Sequence, residues 1–174
     1  MSKSSVETMK KEEMKVLDVI EQYAKENINE IGKRCGISPQ RVARIITRLE
    51  NDKIIWGYSA ITDGTLRNLK HYVVLVKRNA VPFDESAKKE IEFEKIDSIL
   101  SSEAKIENML FTHGSFDLVM TFYAPNLIAA KDFSNKIYDR VGKYFGEHFL
   151  LETLVPIRKN GLKNPQMNSL IKYL

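Results

Sequence analysis

Three arginines, Arg41, Arg44 and Arg48, follow one another at spacings of three and four residues, which places them on one side of a helix. Residues 33–53 hold six basic and two acidic residues, a net charge of +4, whereas the rest of residues 1–63 has a net charge of −3. Clustered Lys and Arg side chains are what a phosphate backbone requires of a partner. The pattern predicts contact with a polyanion; the alternative is a solvated helix face whose arginines pair with glutamates.

Two short helices separated by a tight turn are expected to position these arginines. Asn27, with an acidic residue three positions later, is typical of a helix start, and Gly36 is typical of a helix end. Ser38-Pro39 begins another helix at once, which the apolar spacing extends to about Asn51. A first helix is predicted over about 11–25, after a frayed stretch at 1–9. Together these elements predict a three-helix helix-turn-helix module.

The third helix is expected to present its outward side chains to the major groove of double-stranded DNA. The candidate DNA-binding residues are Ser38, Gln40, Arg41, Arg44, Thr47 and Arg48. Gln40, Arg41 and Arg44, near the start of the helix, are expected at base edges, because Arg pairs with guanine and Gln with adenine. Ser38 and Arg48 are expected at phosphates.

The rest of the chain alternates strands and helices. A connecting strand is predicted at 54–61, followed by strands at 72–76, 105–112, 116–123 and 148–157, with helices over Ser86–Ser101 and about 126–144. The order β-α-β-β-α-β is that of the ferredoxin-like split βαβ unit. The predicted fold class is therefore α+β: a helix-turn-helix domain with its connecting strand at 1–63, a ferredoxin-like domain at 64–160, and a tail at 161–174.

One face of such a sheet carries no helices, and the strands here are apolar on both faces. In the last strand, Phe149 and Leu151 point one way while Leu150 and Leu154 point the other. Because a face that met water would alternate with polar residues, something must cover it. A second copy of the same sheet is the simplest cover; the N-terminal module or the tail is the alternative.

Other chemistries find little support in the sequence. His71, His113 and His148 are scattered without metal-ligand spacing, so no metal site and no cofactor are expected. Nucleophile-elbow, phosphate-loop and dinucleotide-binding patterns are absent. Without these catalytic patterns we expect a protein that is not an enzyme. The single Cys35, the lack of a signal peptide and the lack of a long apolar run lead us to expect that it is cytoplasmic.

Four stretches of the first 63 residues, at 17–20, 31–38, 42–50 and 54–58, resemble the patterns LD-x-x-I, ELA-x-x-x-G-L-S, V-x-x-R-I-x-x-LE and GVI-x-GY. These are patterns of the Lrp/AsnC regulators of bacteria and archaea. Their T-G-x-[YF]-D-L hairpin is similar to residues 112–118, with His113 as one extra residue.

The resemblance implies that the second domain is a regulatory domain that binds an amino acid or similar small molecule. It implies that the 54–61 strands of two subunits pair, and that homodimers assemble further to tetramers or octamers. It places the effector between dimers, near the hairpin, where Gly114 and Asp117 are the residues carried over and His113 lies beside them. The ordinary alternative for Asp117 is to accept backbone N–H bonds in the turn.

Two other functions remain open at this stage. Siroheme decarboxylases are similar in their two-module plan, and that enzymatic alternative requires basic and histidine residues gathered in a pocket of the second domain. The other alternative is a chromatin-type protein that binds DNA without a ligand and without sequence preference.

Overall fold

The computed structural model describes residues 3–62, 64–81, 85, 104–141, 143–170 and 172. The chain divides into two compact units, Met1–Ile61 and Thr62–Leu174.

The first unit is a bundle of three helices: α1 (Lys3–Tyr23), α2 (Ile28–Cys35) and α3 (Pro39–Asn51). The predicted helix-turn-helix order is confirmed. Its core is formed by the apolar side chains at helical spacing: Val16, Ile20, Ile31, Cys35, Val42, Ile45 and Leu49. Cys35 is buried in this core and packs as a small apolar residue, and its burial raises the pKa of the thiol.

The first helix is longer than its apolar pattern predicts, since it begins at Lys3 instead of near residue 11. The expectation of a frayed stretch at 1–9 is therefore wrong for residues 3–9. The added turns contain no Gly or Pro, and four of the eight residues at 3–10 are Lys, Glu or Met, which are good helix formers. Glu7 and Lys11 form an ion pair of 3.9 Å across one turn. A solvated helix of this kind has no apolar face for a periodicity argument to detect.

The strand predicted at 54–61 is also wrong for the single chain, in which these residues form no regular structure. Lys53 leaves the helix in a left-handed conformation, with φ of 58°, and Ile55 still donates its N–H to Leu49 at 3.1 Å. Beyond that point Trp56 is 93% exposed. A β-strand needs a neighbouring strand for its hydrogen bonds, and none of the described residues supplies one.

The second unit is built on a four-stranded antiparallel sheet with the order β2-β3-β1-β4. Its elements are β1 (Lys70–Arg78), β2 (Lys105–Phe111), β3 (Leu118–Ala124), α4 (Leu127–Val141) and β4 (Phe145–Glu152). Element order and sheet order agree with the predicted ferredoxin-like unit. The helix predicted over Ser86–Ser101 lies outside the described residues. The core forms where one face of the sheet meets α4, and Tyr72, Phe122 and Ala130 are fully buried there.

The last strand is shorter than predicted, because β4 ends at Glu152 while the pattern extended to 157. Thr153 donates its N–H to His71 at 2.9 Å, and Pro156 has no N–H to continue the ladder. The chain then forms a hairpin of β5 (Arg158–Lys159) and β6 (Leu162–Lys163), followed by α5 (Met167–Leu170). We call residues 158–163 the tail hairpin.

Candidate nucleic-acid interface

The turn between α2 and α3 is fixed by two glycines. Gly36 ends α2 in the left-handed conformation, with φ of 67°, and Ile37 then donates its N–H to Gly32 at 3.0 Å. A Cβ atom on Gly32 would lie 2.8 Å from the Ile37 carbonyl oxygen. The missing side chain of Gly32 therefore allows the backbone of the turn to approach α2 closely. A turn this short sets α3 across α2.

α3 exposes one stripe of polar side chains directly opposite its buried face. Successive residues turn by roughly 100° around a helix, so positions 40, 44, 47 and 51 fall within a narrow sector. The exposed side chains in this sector are Gln40, Arg44, Thr47 and Asn51. The buried side chains on the other side are Val42, Ile45 and Leu49. We call the first four residues the outward stripe.

Arg41 and Arg48 lie beside the outward stripe and contact α1. The Arg41 Nη2 atom is 2.6 Å from Glu12 Oε2, and its Nε donates to the same oxygen at 2.8 Å. Arg48 forms an ion pair with Glu13, and its Nε is buried without a hydrogen-bond acceptor among the described residues. Arg44, by contrast, has no ion-pair partner in the described part of the chain.

Two further basic residues of this segment are also paired with glutamates. Lys33 Nζ is 2.8 Å from Glu30 Oε1, and Arg34 Nε donates to Glu26 at 2.7 Å while its guanidinium lies over the Tyr23 ring. The hydrogen bond from Arg34 holds the pKa of Glu26 below its usual range. The local charge of +4 counted from the sequence is thus largely compensated by acidic side chains outside residues 33–53.

Ser38 occupies the N-cap position of α3, as predicted, but its side chain makes no capping hydrogen bond. Asn27, at the corresponding position of α2, does cap, accepting from the N–H groups of Asn29 and Glu30 at 3.0 and 3.1 Å. The exposed Ser38 hydroxyl is therefore free to donate to another acceptor.

In the second unit, the residues predicted at the effector lie on the β2–β3 hairpin. Gly114, with φ of 149°, and His113 are exposed at its tip. Asp117 accepts the backbone N–H of Arg78 at 2.7 Å, and its other oxygen is 3.9 Å from Arg78 Nε. The carboxylate of Asp117 thus ties the hairpin to β1. It accepts a backbone N–H, as the ordinary alternative expected, but from β1 and not from within the turn.

The sheet face away from α4 has an apolar half. Strand register places one set of partly exposed side chains on this face: Val73, Leu75, Leu110, Val119, Phe149 and Leu151. Phe149 and Leu151 are 42% and 49% exposed, and Leu110 is 53% exposed. We call these six residues the apolar patch. A surface of this kind is typical of an interaction site.

The other half of the same face is polar and is covered by the tail hairpin. His71 Nε2 lies 2.9 Å from Glu107 Oε2, while Lys159 of the tail hairpin is 3.3 Å from Glu107 Oε1 and also contacts the Tyr123 hydroxyl. Glu107 is the unpaired residue of a β-bulge between Ile106 and Asn108. We call His71, Glu107, Tyr123 and Lys159 the polar cluster.

The polar cluster brings a histidine and a lysine together in the second unit, the feature that the enzymatic alternative requires. However, Glu107 and Thr153 engage both ring nitrogens of His71, the latter with Oγ1 at 2.6 Å, so the hydrogen bonds close among the protein's own side chains. Among the described residues no group of His, Cys, Asp and Glu could hold a metal ion. No described helix has the length and apolar character to cross a bilayer.

Comparison with known proteins assigns the first unit to a class of DNA-binding domain. A family model described as winged helix-turn-helix DNA-binding matches residues 13–55. The uncharacterized HTH-type transcriptional regulator YugG of Bacillus subtilis is 27% identical over 95 residues, which are 50% of this chain. The match spans 56% of the length of that relative.

Solved structures match nearly the whole chain. An AsnC family transcriptional regulator from Agrobacterium tumefaciens superposes with a TM-score of 0.65 at 17% identity, covering 89% of this chain and 95% of that one. A transcriptional regulator from Neisseria meningitidis in complex with L-Met gives 0.64 at 15%, covering 91% and 97%. LrpC of B. subtilis gives 0.60 at 18%, covering 84% and 95%. The fold is that of the Lrp/AsnC regulators.

The Lrp/AsnC resemblance inferred from the sequence is thus confirmed at the level of the fold. Sequence reasoning missed the polar cluster of the second unit, although one signal for it was present. Asn160-Gly161 is the dipeptide favoured in two-residue hairpin turns, and both residues have positive φ, 44° and 81°. That signal indicates the tail hairpin, which brings Lys159 onto the sheet. The bulge that directs Glu107 has no comparable signature in the sequence.

Proposed function

We propose that the protein is a sequence-specific DNA-binding transcription regulator of the Lrp/AsnC type, modulated by an amino acid or similar small molecule. The observation that carries this proposal is the outward stripe on α3, inside a segment that matches winged helix-turn-helix DNA-binding domains. Its unpaired Arg44 can donate two hydrogen bonds to the O6 and N7 atoms of guanine, and Gln40 can pair with adenine.

The remaining contacts follow from the position of each side chain. Gln40, Arg44 and Thr47 lie along the outward stripe, so we assign them to base edges. Ser38, whose hydroxyl is not used for capping, is assigned to a phosphate. The contacts of Arg41 and Arg48 are constrained by α1 and are taken up in the next section.

We further propose that the apolar patch is covered by a second copy of the same sheet. The tail hairpin covers the polar half of the face, so the tail shields part of the sheet. The apolar half remains, with Phe149 packed edge-on against Phe116 at 5.7 Å. Two copies joined there would bring two recognition helices into one assembly. Recognition is then of two half-sites about one helical turn apart, or a multiple of it.

The effector is assigned to the β2–β3 hairpin, where His113 and Gly114 are exposed. Because Asp117 is bonded to Arg78, we assign it the role of fixing the shape of the hairpin. The ligand contacts are assigned to His113 and Gly114. The neisserial protein, which shares this fold, is named as an L-Met complex, which supports an amino acid as the class of ligand.

The test is selection of bound duplexes from random DNA, repeated with pooled amino acids. We expect enrichment of one sequence and a change in affinity when the amino acids are present. Arg44→Ala should weaken binding to the selected site by about 1–3 kcal/mol if it reads a base. Arg67→Ala removes the same charge from an exposed position in the second unit and serves as the matched control.

Three outcomes would contradict parts of this proposal. Equal affinities for the two variants would remove Arg44 from the interface. Binding without enrichment of any sequence and without response to amino acids would favour the chromatin-type alternative. Absence of DNA binding together with tight binding of a tetrapyrrole would favour the enzymatic alternative.

A further inference from the structure

α1 carries two adjacent glutamates that engage two of the three arginines of α3. Arg41 and Arg48 are seven residues apart, two turns of helix, and so lie on the same side of α3. Glu12 forms an ion pair with Arg41, and Glu13 forms one with Arg48. The glutamate side chains are about one-fifth exposed, at 21% and 23%, whereas the arginines are 51% and 37% exposed. The carboxylates therefore lie under the guanidinium groups.

These pairs oppose contact with DNA at the edge of the outward stripe. An arginine that already donates to a carboxylate must give up that bond before it can donate to a phosphate. Fully exposed ion pairs are weak, about 0–1 kcal/mol, but the two carboxylates here are largely buried and Arg41 donates twice to the same oxygen of Glu12. Each pair can therefore hold its arginine away from a phosphate. The buried Arg48 Nε, which has no acceptor in the described structure, shows how far this side chain is drawn into the α1–α3 contact.

We propose that Glu12 and Glu13 determine specificity by withholding Arg41 and Arg48 from the phosphate backbone, which leaves recognition to the outward stripe. Non-specific affinity depends on the number of phosphate contacts, whereas sequence preference depends on base contacts. An arginine that is held by a glutamate cannot bind phosphate, so non-specific affinity falls while sequence preference is unchanged. The inference rests on the proposed DNA-binding function and adds a role for α1, which holds the two arginines through its glutamates.

The measurement is the salt dependence of binding to a random-sequence duplex of about 30 base pairs, three helical turns, between about 50 and 200 mM salt. Glu12→Gln frees Arg41 for one phosphate contact. The slope of log K against log[salt] should then steepen by about 0.9, and non-specific affinity at about 0.1 M salt should rise roughly fivefold to tenfold. Glu13→Gln should act in the same way through Arg48. Affinity for the selected site should rise less, so the specificity ratio falls.

Glu21→Gln is the matched control for charge. Glu21 is exposed on the same helix and has no ion-pair partner among the described residues, so its substitution changes the net charge equally and frees no arginine. Arg41→Gln alone should leave the wild-type slope nearly unchanged, because the paired arginine makes no phosphate contact. The double variant Glu12→Gln/Arg41→Gln should return to the wild-type slope. Circular dichroism confirms that each variant retains its helices.

The outcomes separate this inference from the function on which it rests. If the wild-type protein binds no duplex, the proposed function fails. If it binds, and Glu12→Gln has the same slope as Glu21→Gln, the inference is wrong. It is also wrong if Arg41→Gln alone flattens the slope by about 0.9, since Arg41 would then contact phosphate in the wild-type protein.

Discussion

Lys159 and Glu107, 52 residues apart in the sequence, form an ion pair of 3.3 Å on the sheet face away from α4. The pair joins the tail hairpin to β2, and only 17% of the lysine side chain is exposed. Tyr123 lies beneath the lysine, with its ring centroid 4.6 Å from Nζ. This contact makes the tail part of the second unit and limits the open face to the apolar patch.

Lys159→Met should loosen the tail hairpin, because it leaves the partly buried Glu107 carboxylate without its cation. Glu107 keeps its contacts with His71, Thr121 and Tyr123 and loses one hydrogen bond from a cation. A hydrogen bond to a charged group contributes about 1.5–3 kcal/mol, and we expect amide hydrogen exchange in residues 158–163 to accelerate accordingly. Lys163→Met is the matched control, since Lys163 is exposed on the neighbouring strand of the hairpin. Equal exchange in the two variants would show that the ion pair does not hold the hairpin.

The polar cluster should make the protein less stable in acid. Burial lowers the pKa of His71 and outweighs the opposing effect of Glu107. Burial raises the pKa of Glu107, but the charge of Lys159 and the hydrogen bonds from His71 and Lys159 outweigh it, so the pKa is lowered overall. In both cases the folded state binds its proton less readily than the unfolded state does, so stability falls as the pH falls.

The two groups act in different pH windows. The contribution of His71 is present above its ordinary pKa of 6.5 and is lost as the pH falls through its lower folded value; that of Glu107 is lost below its ordinary pKa of 4.5. Urea unfolding from about pH 8 to pH 5 should therefore isolate the histidine. In His71→Gln, which cannot titrate, the decline over this range should be smaller. An identical decline would mean that another group is responsible.

The sequence predicted those parts of the structure that depend on local spacing and on burial. The apolar positions of α3 and the glycine at its entrance suffice to place Gln40, Arg44 and Thr47 on its outer side. Local spacing does not predict the ion-pair partners that come from distant parts of the chain. The sequence shows that Arg44 has no acidic residue three or four positions away on its own helix, but the pairing of Arg41 with Glu12 depends on how α1 crosses α3.

The same limit explains the errors in the strand assignments. Residues 54–61 have strong β-propensity, but propensity is expressed only where a neighbouring strand accepts the hydrogen bonds. The end of β4 depends on where Pro156 interrupts the ladder and on the contact of Thr153 with His71. These are properties of register, which a single strand's sequence does not specify.

Gly36 should be the more sensitive of two exposed glycines in the first unit. A Cβ atom at Gly36 or at Gly57 would meet nothing within 4 Å, so neither substitution causes a clash. Only Gly36 has a positive φ, which costs an L-residue roughly 1–2 kcal/mol. Urea unfolding followed by far-ultraviolet circular dichroism should show Gly36→Ala less stable by about that amount, with Gly57→Ala close to wild type. Equal stabilities would mean that the turn relaxes without strain.

The apolar patch should hold two copies of the chain together. Leu151 is 49% exposed on the edge strand β4, opposite Val73 in the neighbouring strand, so Leu151→Asp places a charge in the proposed interface. Ile128 on α4 is 73% exposed on the other side of the sheet, and Ile128→Asp is the control. Sedimentation velocity should show a dimer or larger assembly for wild type and Ile128→Asp, and dissociation for Leu151→Asp. Because burying an unpaired carboxylate costs several kcal/mol, a Leu151→Asp variant that still assembles would show that the patch is not the interface.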